Sequence, residues 1–201
     1  MSKSKIIIKK YKLFDNANIN YYKNIISKDE SEKLYKFLKL TVPWEQGVYN
    51  MFGKPVKTPR MLYAFRDKGI DITDVYKVTG SIRWPKEITK LKETVEKLTG
   101  KTFRYAQVNY YRNGKDYIGY HTDSEVKKGD IIASVSLGVD RPFLFRHKEY
   151  KTNDVEKRKI ILEDASLLVM DEHAAKRYWK HSLPKSLKIT RGRINITFRP
   201  N

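Results

Sequence analysis

Two histidines and one aspartate of this chain could together bind a single iron ion. His121 and Asp123 are two residues apart, so in an extended segment from Gly119 to Glu125 their side chains project to the same side. His181 is the candidate third ligand from a distant segment. Two imidazoles and one carboxylate form a facial triad that leaves open positions on iron(II) for a co-substrate and dioxygen. A His-x-Asp pair alone is a weak signal, so its meaning depends on the rest of the chain.

A polar face runs along the last predicted strand, residues 193–199. Apolar side chains alternate strictly with Arg193, Asn195, Thr197 and Arg199, which is the period of a strand. On an ideal strand the two arginines lie roughly 20 Å apart, at about 3.3 Å per residue. Because a guanidinium pairs bidentately with a carboxylate, this strand could bind a small dicarboxylate if the arginines lean toward each other. The alternative is an amphipathic edge strand with its arginines in water.

The charge and composition of the chain limit the kinds of molecule that it is expected to bind. The 201 residues carry a formal net charge of +19 and 12% are aromatic, which favours a polyanionic partner such as nucleic acid; a solvated basic surface is the alternative. No hydrophobic run approaches the roughly 18 residues of a membrane-spanning helix. The chain has no cysteine, so disulfides and thiolate metal sites are excluded. Without a signal-peptide core, we expect an intracellular monomer, nuclear if eukaryotic and otherwise cytoplasmic.

Local patterns predict two helices and then a series of short strands. Ser27-x-x-Glu30 is a capping box for a helix that ends before Pro43. A second amphipathic helix is expected over residues 85–98, with Gly100 just past its end. Short strands are expected over residues 103–111, 131–137, 143–146, 159–162, 166–170 and 193–199. This order predicts an α+β, mainly β fold, with a jelly roll or sandwich buttressed on one side by helices.

Six motifs together resemble the AlkB family of iron(II)- and 2-oxoglutarate-dependent nucleic-acid dealkylases, and most closely its eukaryotic branch that repairs alkylated duplex DNA. The motifs are Asn109-x-Tyr111, His121-x-Asp123, Ser134-Val-Ser-Leu-Gly138, Phe143-x-Phe145-Arg146-His147-Lys148, His181-Ser-Leu-Pro184 and Arg193-x-Asn195-x-Thr197-Phe-Arg199. The resemblance covers the chain from about Gly47 to the C-terminus. The resemblance implies a double-stranded β-helix, a jelly-roll variant, in agreement with the strand pattern.

The resemblance implies a single AlkB-like dioxygenase domain over residues 1–201. Residues 1–42 are expected to form an N-terminal helical buttress and residues 43–84 a hairpin lid that recognises the nucleotide. Residues 85–100 are expected to form a buttress helix, and residues 101–201 the jelly-roll catalytic core.

The resemblance also implies roles for individual residues. The implied iron ligands and catalytic residues are His121, Asp123 and His181. Arg193 and Arg199 are implied to bind the two carboxylates of 2-oxoglutarate, in a pocket shared with Asn109, Tyr111, Asn195 and Thr197. The implied cofactors are Fe(2+), the co-substrate 2-oxoglutarate and O2. The implied reaction is oxidative demethylation of N1-methyladenine and N3-methylcytosine in DNA, with release of formaldehyde and succinate.

A damaged base inside a duplex must be flipped out before it can react. Met51-Phe52-Gly53-Lys54 is similar to the family's intercalating finger, in which an apolar side chain, here Phe52, fills the vacated stack. The alternative for Phe52 is burial in a small core under a hairpin. The resemblance further implies that Glu125, Tyr76 and Thr79 contact the flipped base. The expected phosphate contacts are Arg60, Arg146 and Lys148.

Some features fall outside this scheme. Ser124 departs from the most similar branch, which has a second carboxylate directly after the ligand aspartate, and His147 and His173 match no ligand position.

One alternative function is the same chemistry on RNA or on a protein side chain. Another is a nucleic-acid-binding module with a vestigial metal site, which the presence of the whole triad and both arginines disfavours.

Overall fold

The chain is built mainly from short β-strands. The computed structural model describes residues 5–51, 53–70, 80–152 and 154–199. In these ranges the α-helices are α1 (Lys28–Thr41) and α2 (Lys86–Thr99). The strands are β1 (Ile7–Lys12), β2 (Asn18–Lys23), β3 (Val48–Met51), β4 (Lys54–Lys57), β5 (Met61–Arg66), β6 (Gly80–Ser81), β7 (Tyr105–Tyr111), β8 (Ile118–His121), β9 (Ile131–Gly138), β10 (Arg141–His147), β11 (Arg158–Leu162), β12 (Ser166–Asp171), β13 (Trp179–Leu183) and β14 (Arg193–Arg199).

Both predicted helices are confirmed. The Ser27 hydroxyl accepts the Glu30 N–H at 3.2 Å, and the Glu30 carboxylate accepts the Ser27 N–H at 3.1 Å. The pKa of Glu30 is lowered to about 2, mainly by its hydrogen bond from Lys90 and then by its hydrogen bonds with Ser27. Helix α2 ends at Gly100, whose φ of +66° suits a residue without a side chain. Within the described ranges, neither helix is long and apolar enough to cross a membrane.

The strands of the described ranges form two main sheets and one separate hairpin. The larger sheet has eight strands in the order β1-β2-β12-β9-β14-β7-β5-β6, and the smaller has four in the order β11-β10-β13-β8. One hydrophobic core joins α1 and α2 to the larger sheet, through side chains such as Leu34, Leu38 and Ile88. A second core, which includes Phe145 and Trp179, lies between the two sheets. Two facing sheets with helices on one side confirm the predicted jelly roll.

Strand β14 lies inside the larger sheet, between β7 and β9. All seven of its residues are buried. Ile194, Ile196 and Phe198 belong to the core on the helix side, so the alternating polar side chains face the smaller sheet. The alternative of a solvated edge strand is therefore excluded, and the polar face is placed in the interior of the jelly roll.

Candidate metal centre and co-substrate pocket

A cavity lies between the two sheets, with the polar face of β14 along one wall. From the larger sheet it is lined by Gln107, Asn109, Tyr111, Ser134, Arg193, Asn195, Thr197 and Arg199. From the smaller sheet it is lined by Ile118, His121, Phe143, His181 and Leu183. The predicted metal ligands and the predicted co-substrate residues therefore share one cavity.

The three predicted ligands lie together, with one candidate ligand atom from each within 4.8 Å of the others. His121 is the last residue of β8 and pairs with His181 of β13. Asp123 follows the strand, and its N–H donates to the carbonyl of Ala175 at 3.0 Å. Ala175 belongs to a one-turn π-helix, His173–Arg177. The prediction of an extended segment from Gly119 to Glu125 is wrong beyond His121, because β8 ends there. The three side chains still converge.

His121 has the protonation that metal binding requires. His121 Nδ1 lies 2.9 Å from the carbonyl oxygen of Gly119. Because a carbonyl can only accept, Nδ1 carries the proton and Nε2 keeps its lone pair. Burial, together with the neighbouring His181, lowers the pKa of His121 to about 3. His181 Nε2 lies 3.3 Å from the Asp123 carboxylate. Two imidazoles and one carboxylate fit iron(II) as a donor set.

Arg199 holds the carboxylate of Asp123. Its Nη2 donates to Asp123 Oδ1 at 2.7 Å, its Nη1 donates to Gln107 at 2.8 Å, and its Nε lies 2.6 Å from Glu125. Burial alone would raise the pKa of Asp123, but Arg199 and the two histidines outweigh burial and hold this pKa well below its usual range. The structure thus shows Arg199 orienting a candidate ligand. Its predicted contact with 2-oxoglutarate stays a prediction.

Arg199→Gln is expected to weaken metal binding by about 10- to 100-fold, the usual range for a residue that orients a ligand. In the wild type, Arg199 lowers the pKa of Asp123. Its removal raises that pKa, so proton competition should begin at a higher pH in the variant than in the wild type. Titration with Mn(II) between acidic and neutral pH measures both effects. The control is Arg104→Gln, which removes a half-exposed arginine paired with Asp67; equal affinities in all three proteins would contradict the assignment.

Arg193 occupies the other end of the polar face and is 2% exposed. Its Nη2 donates to the Ser136 hydroxyl at 2.9 Å, and its Cζ lies 5.4 Å from the centre of the Tyr111 ring. Its buried Nε has no hydrogen-bond partner among the described residues. Burial lowers the pKa of Arg193 to about 10, so it is cationic at neutral pH. A buried cation with unused donors fits the distal carboxylate of 2-oxoglutarate.

A directed chain of hydrogen bonds fixes the amides between these two ends. Arg60 Nε donates to Asn109 Oδ1 at 2.8 Å, so the Asn109 amide group must point to Asn195 Oδ1, 3.3 Å away. Asn195 in turn donates to the Ser134 hydroxyl at 2.7 Å, and the Thr197 hydroxyl donates to Asn195 Oδ1 at 2.9 Å. The predicted pocket residues are therefore held in fixed orientations.

The predicted nucleic-acid residues have different locations. The phosphate contact expected for Arg60 is wrong as a surface assignment, because Arg60 is 4% exposed and binds Asn109 inside the cavity. Glu125 lines the cavity and is paired with Arg199. Arg146 is half-buried on β10, and Lys148 is exposed just past it. Phe52, Tyr76 and Thr79 lie outside the described residues.

Other residues of the cavity had not been assigned roles. Tyr105, Gln107 and Ser134 line it beside the predicted residues. The two-residue alternation of residues 103–111 and of Ser134-Val-Ser136 was the available signal, since it places these side chains on one face of each strand. Phe143 stacks on His181 with 5.5 Å between ring centres, and no spacing pattern indicated this contact. His147 binds Asp15 at 2.9 Å, which agrees with its exclusion from the ligands.

A jelly roll with two histidines and one carboxylate facing a cationic pocket defines the class of metal-dependent oxygenases. Residues 18–199 match the model of the 2OG-Fe(II) oxygenase superfamily. The chain belongs to this superfamily, which uses Fe(2+), 2-oxoglutarate and O2, and within it to the ALKBH2-like branch of the AlkB family.

Individual relatives agree with this placement. The chain is 32% identical to the DNA oxidative demethylase ALKBH2 of Homo sapiens over 187 residues, which cover 89% of this chain and 71% of that protein. It is 30% identical to the alpha-ketoglutarate-dependent dioxygenase alkB homolog 3 of Homo sapiens over 190 residues, which cover 91% and 66% of the two chains. The solved structure of OsALKBH1 matches 97% of this chain and 100% of its own, with a TM-score of 0.64 at 15% identity. The predicted family and fold are confirmed.

Proposed function

We propose that this chain is an Fe(II)- and 2-oxoglutarate-dependent demethylase of alkylated bases in DNA, with N1-methyladenine and N3-methylcytosine as substrates. The main support for this proposal is that one cavity contains both the cationic Arg193 and the cluster of His121, Asp123 and His181. A dicarboxylate can then bind with one end at the metal and the other at Arg193. DNA is the proposed substrate because ALKBH2 relatives are named DNA oxidative demethylases.

The protein residues bind and orient the reactants. His121, Asp123 and His181 would hold the metal, and Arg193 would hold the distal carboxylate of the co-substrate. When bound, iron(II) with 2-oxoglutarate and dioxygen supplies the oxidation of an N-methyl group that ends in succinate, carbon dioxide and formaldehyde. The half-buried Phe143 and the buried Leu183 give this part of the cavity an apolar wall.

The substrate base must reach the same cavity. Tyr63, Thr122, Ser124 and Glu125 line it near the metal cluster, and Glu125 is about one-third exposed. A base in a duplex reaches such a site only after extrusion, which is least costly for a lesion that no longer pairs. We propose that these four side chains face the extruded base.

Arg146 is the best-supported phosphate contact. Its Cζ lies 4.1 Å from the centre of the Tyr120 ring and 4.7 Å from that of Tyr150. Two cation–π contacts hold the guanidinium in one orientation while its N–H groups can still bind an anion. Lys148 is exposed just past β10, and we propose that both cations contact the same DNA backbone.

Arg146→Ala and Lys148→Ala are each expected to lower the salt slope of DNA binding by about one unit per lost phosphate contact. The measurement is the dissociation constant for a duplex oligonucleotide across a series of salt concentrations. Lys39→Ala is the control, because this exposed lysine lies on α1, on the helix side of the larger sheet. A slope that stays unchanged in the Arg146 variant would assign that residue to the solvated surface.

Duplex DNA is the proposed form of the substrate. Strands β3 and β4 pair with Met51 opposite Lys54, and the sequence between these two residues is Phe52-Gly53. Gly53 has a φ of +79°, a backbone conformation that favours glycine. A short hairpin connection is suited to carry an intercalating side chain.

Phe52→Ala is expected to reduce turnover of a methylated duplex by about tenfold, the scale of one lost stacking interaction. Turnover of the same strand without its complement should change little, because an unpaired base needs no wedge. Initial rates of formaldehyde release on both substrates measure the ratio. Equal losses on duplex and single strand would contradict the finger assignment.

The substrate class is tested by comparing methylated duplex DNA, methylated single-stranded RNA and a methylated peptide at matched concentrations. The proposal expects the highest kcat/KM on DNA. Faster turnover of RNA or of the peptide would show that DNA is not the preferred substrate. The assignment of the metal site would not be affected.

A further inference from the structure

Arg141 is a buried cation to which neither the motifs nor the metal centre assigns a role. It is the first residue of β10 and is 0% exposed. Its guanidinium donates to three backbone carbonyls, those of Asn113 at 3.2 Å, Asp116 at 3.0 Å and Pro184 at 2.8 Å. These carbonyls belong to the segment after β7 and to the segment after β13. Arg141 therefore ties together the ends of two strands that line the cavity.

The same guanidinium lies beside the distal end of the co-substrate pocket. Its Cζ is 5.9 Å from the centre of the Tyr111 ring, and the Cζ of Arg193 is 5.4 Å from the same ring. Tyr111 and Arg193 are also cross-strand partners in β7 and β14. One tyrosine ring is thus shared by two buried guanidinium groups, of which Arg193 lines the cavity and Arg141 does not.

Neither Arg141 nor Arg193 forms an ion pair with a carboxylate in the described part of the chain, although the nearby Asp116 opposes the effect of burial on the pKa of Arg141. The nearby Asp116 carboxylate is taken by Arg112, which binds both of its oxygens at 2.8 and 2.9 Å. Burial lowers the pKa of Arg193, and the charge of Arg141 adds to this effect. Burying cations without counter-charges is unfavourable, so an anion that enters beside them gains from both.

We propose that Arg141 is a positioning residue that, through Tyr111 and its own charge, makes the Arg193 end of the cavity select a 2-oxo acid bearing a second carboxylate. This inference rests on the proposed function, because it concerns the co-substrate of that reaction. Arg193 contacts the distal carboxylate. Arg141 strengthens that contact from behind the cavity wall, without touching the ligand.

Direct binding to the Mn(II)-loaded protein tests this role without requiring turnover. Arg141→Met is expected to raise the dissociation constant of 2-oxoglutarate by about tenfold, the scale of one charge interaction at a moderate effective dielectric constant. Binding of 2-oxobutyrate, which has one carboxylate, should change less than twofold on the same basis. Arg141→Lys keeps the charge and should recover most of the preference. If the methionine variant folds poorly, Arg141→Gln is the second neutral variant, because its amide can still donate to the backbone carbonyls, and it should lose the preference as Arg141→Met does.

Lys115→Met is the matched control. It removes an exposed cation from the same segment after β7 but leaves both buried cations and the Arg112–Asp116 pair in place, so the preference for 2-oxoglutarate should be retained. An equal loss for both acids in Arg141→Met or Arg141→Gln, or no loss for either acid in these two neutral variants, would overturn the inference. A wild-type protein without preference for 2-oxoglutarate over 2-oxobutyrate would overturn it together with the proposed co-substrate site. If the wild type shows the preference and Arg141→Met and Arg141→Lys keep it, this inference alone fails.

Discussion

His181→Ala is expected to abolish both metal binding and demethylation, with a loss of at least about a hundredfold in each, since removal of a ligand exceeds the effect of removing an orienting partner. His181 is 2% exposed, and its Nε2 faces the Asp123 carboxylate. Without it, His121 and Asp123 remain as a two-donor site, which cannot form the facial triad. Mn(II) titration and formaldehyde release measure the two losses separately.

The control for this prediction is another histidine of the chain. His173 lies in the π-helix and its Nε2 is 3.3 Å from Glu172, apart from the metal cluster. His173→Ala is expected to keep metal affinity and turnover near the wild-type values. Retained metal binding in His181→Ala, or an equal loss in His173→Ala, would contradict the ligand assignment.

Arg193→Ala is expected to raise the dissociation constant of 2-oxoglutarate by at least about 30-fold, because removing one partner of a buried charge pair costs about 2–5 kcal/mol. Arg193 lines the cavity, is cationic at neutral pH and has an unpartnered Nε among the described residues. Metal affinity should be unchanged, since the metal cluster lies near the Arg199 end of β14. Calorimetric titration of the Mn(II)-loaded protein with 2-oxoglutarate gives this constant.

Arg191→Ala is the matched control, because Arg191 is exposed and lies two residues from Arg193. It should bind 2-oxoglutarate as the wild type does. Unchanged co-substrate binding in Arg193→Ala would remove this residue from the pocket. A parallel loss of metal binding would indicate a damaged fold instead of a lost carboxylate contact.

Strand periodicity predicted the part of the site that depends on one strand. The alternation of Arg193 to Arg199 placed four polar side chains on one face, and in the structure that face lines the cavity. The capping box at Ser27 likewise marked the start of α1, because its hydrogen bonds join residues three apart. Such local features are fixed by backbone geometry, which the sequence determines directly.

The remaining features depend on contacts between distant segments. Arg199 meets Asp123 across 76 residues, and Arg60 meets Asn109 across 49. These pairings follow from sheet register and from the π-helix that holds the Asp123 backbone, neither of which a local pattern reveals. Arg60 was expected to contact phosphate because it is basic, but its hydrogen bond to Asn109 lies inside the cavity.

The most direct test of the proposed function is release of formaldehyde and succinate from duplex DNA that carries one N1-methyladenine. The assay contains iron(II), ascorbate and 2-oxoglutarate, and compares the wild type with His121→Ala. Release of both products in equal amounts by the wild type, and of neither by the variant, is the predicted result. Absence of release by a wild-type protein that binds 2-oxoglutarate, or equal release by both proteins, would contradict it.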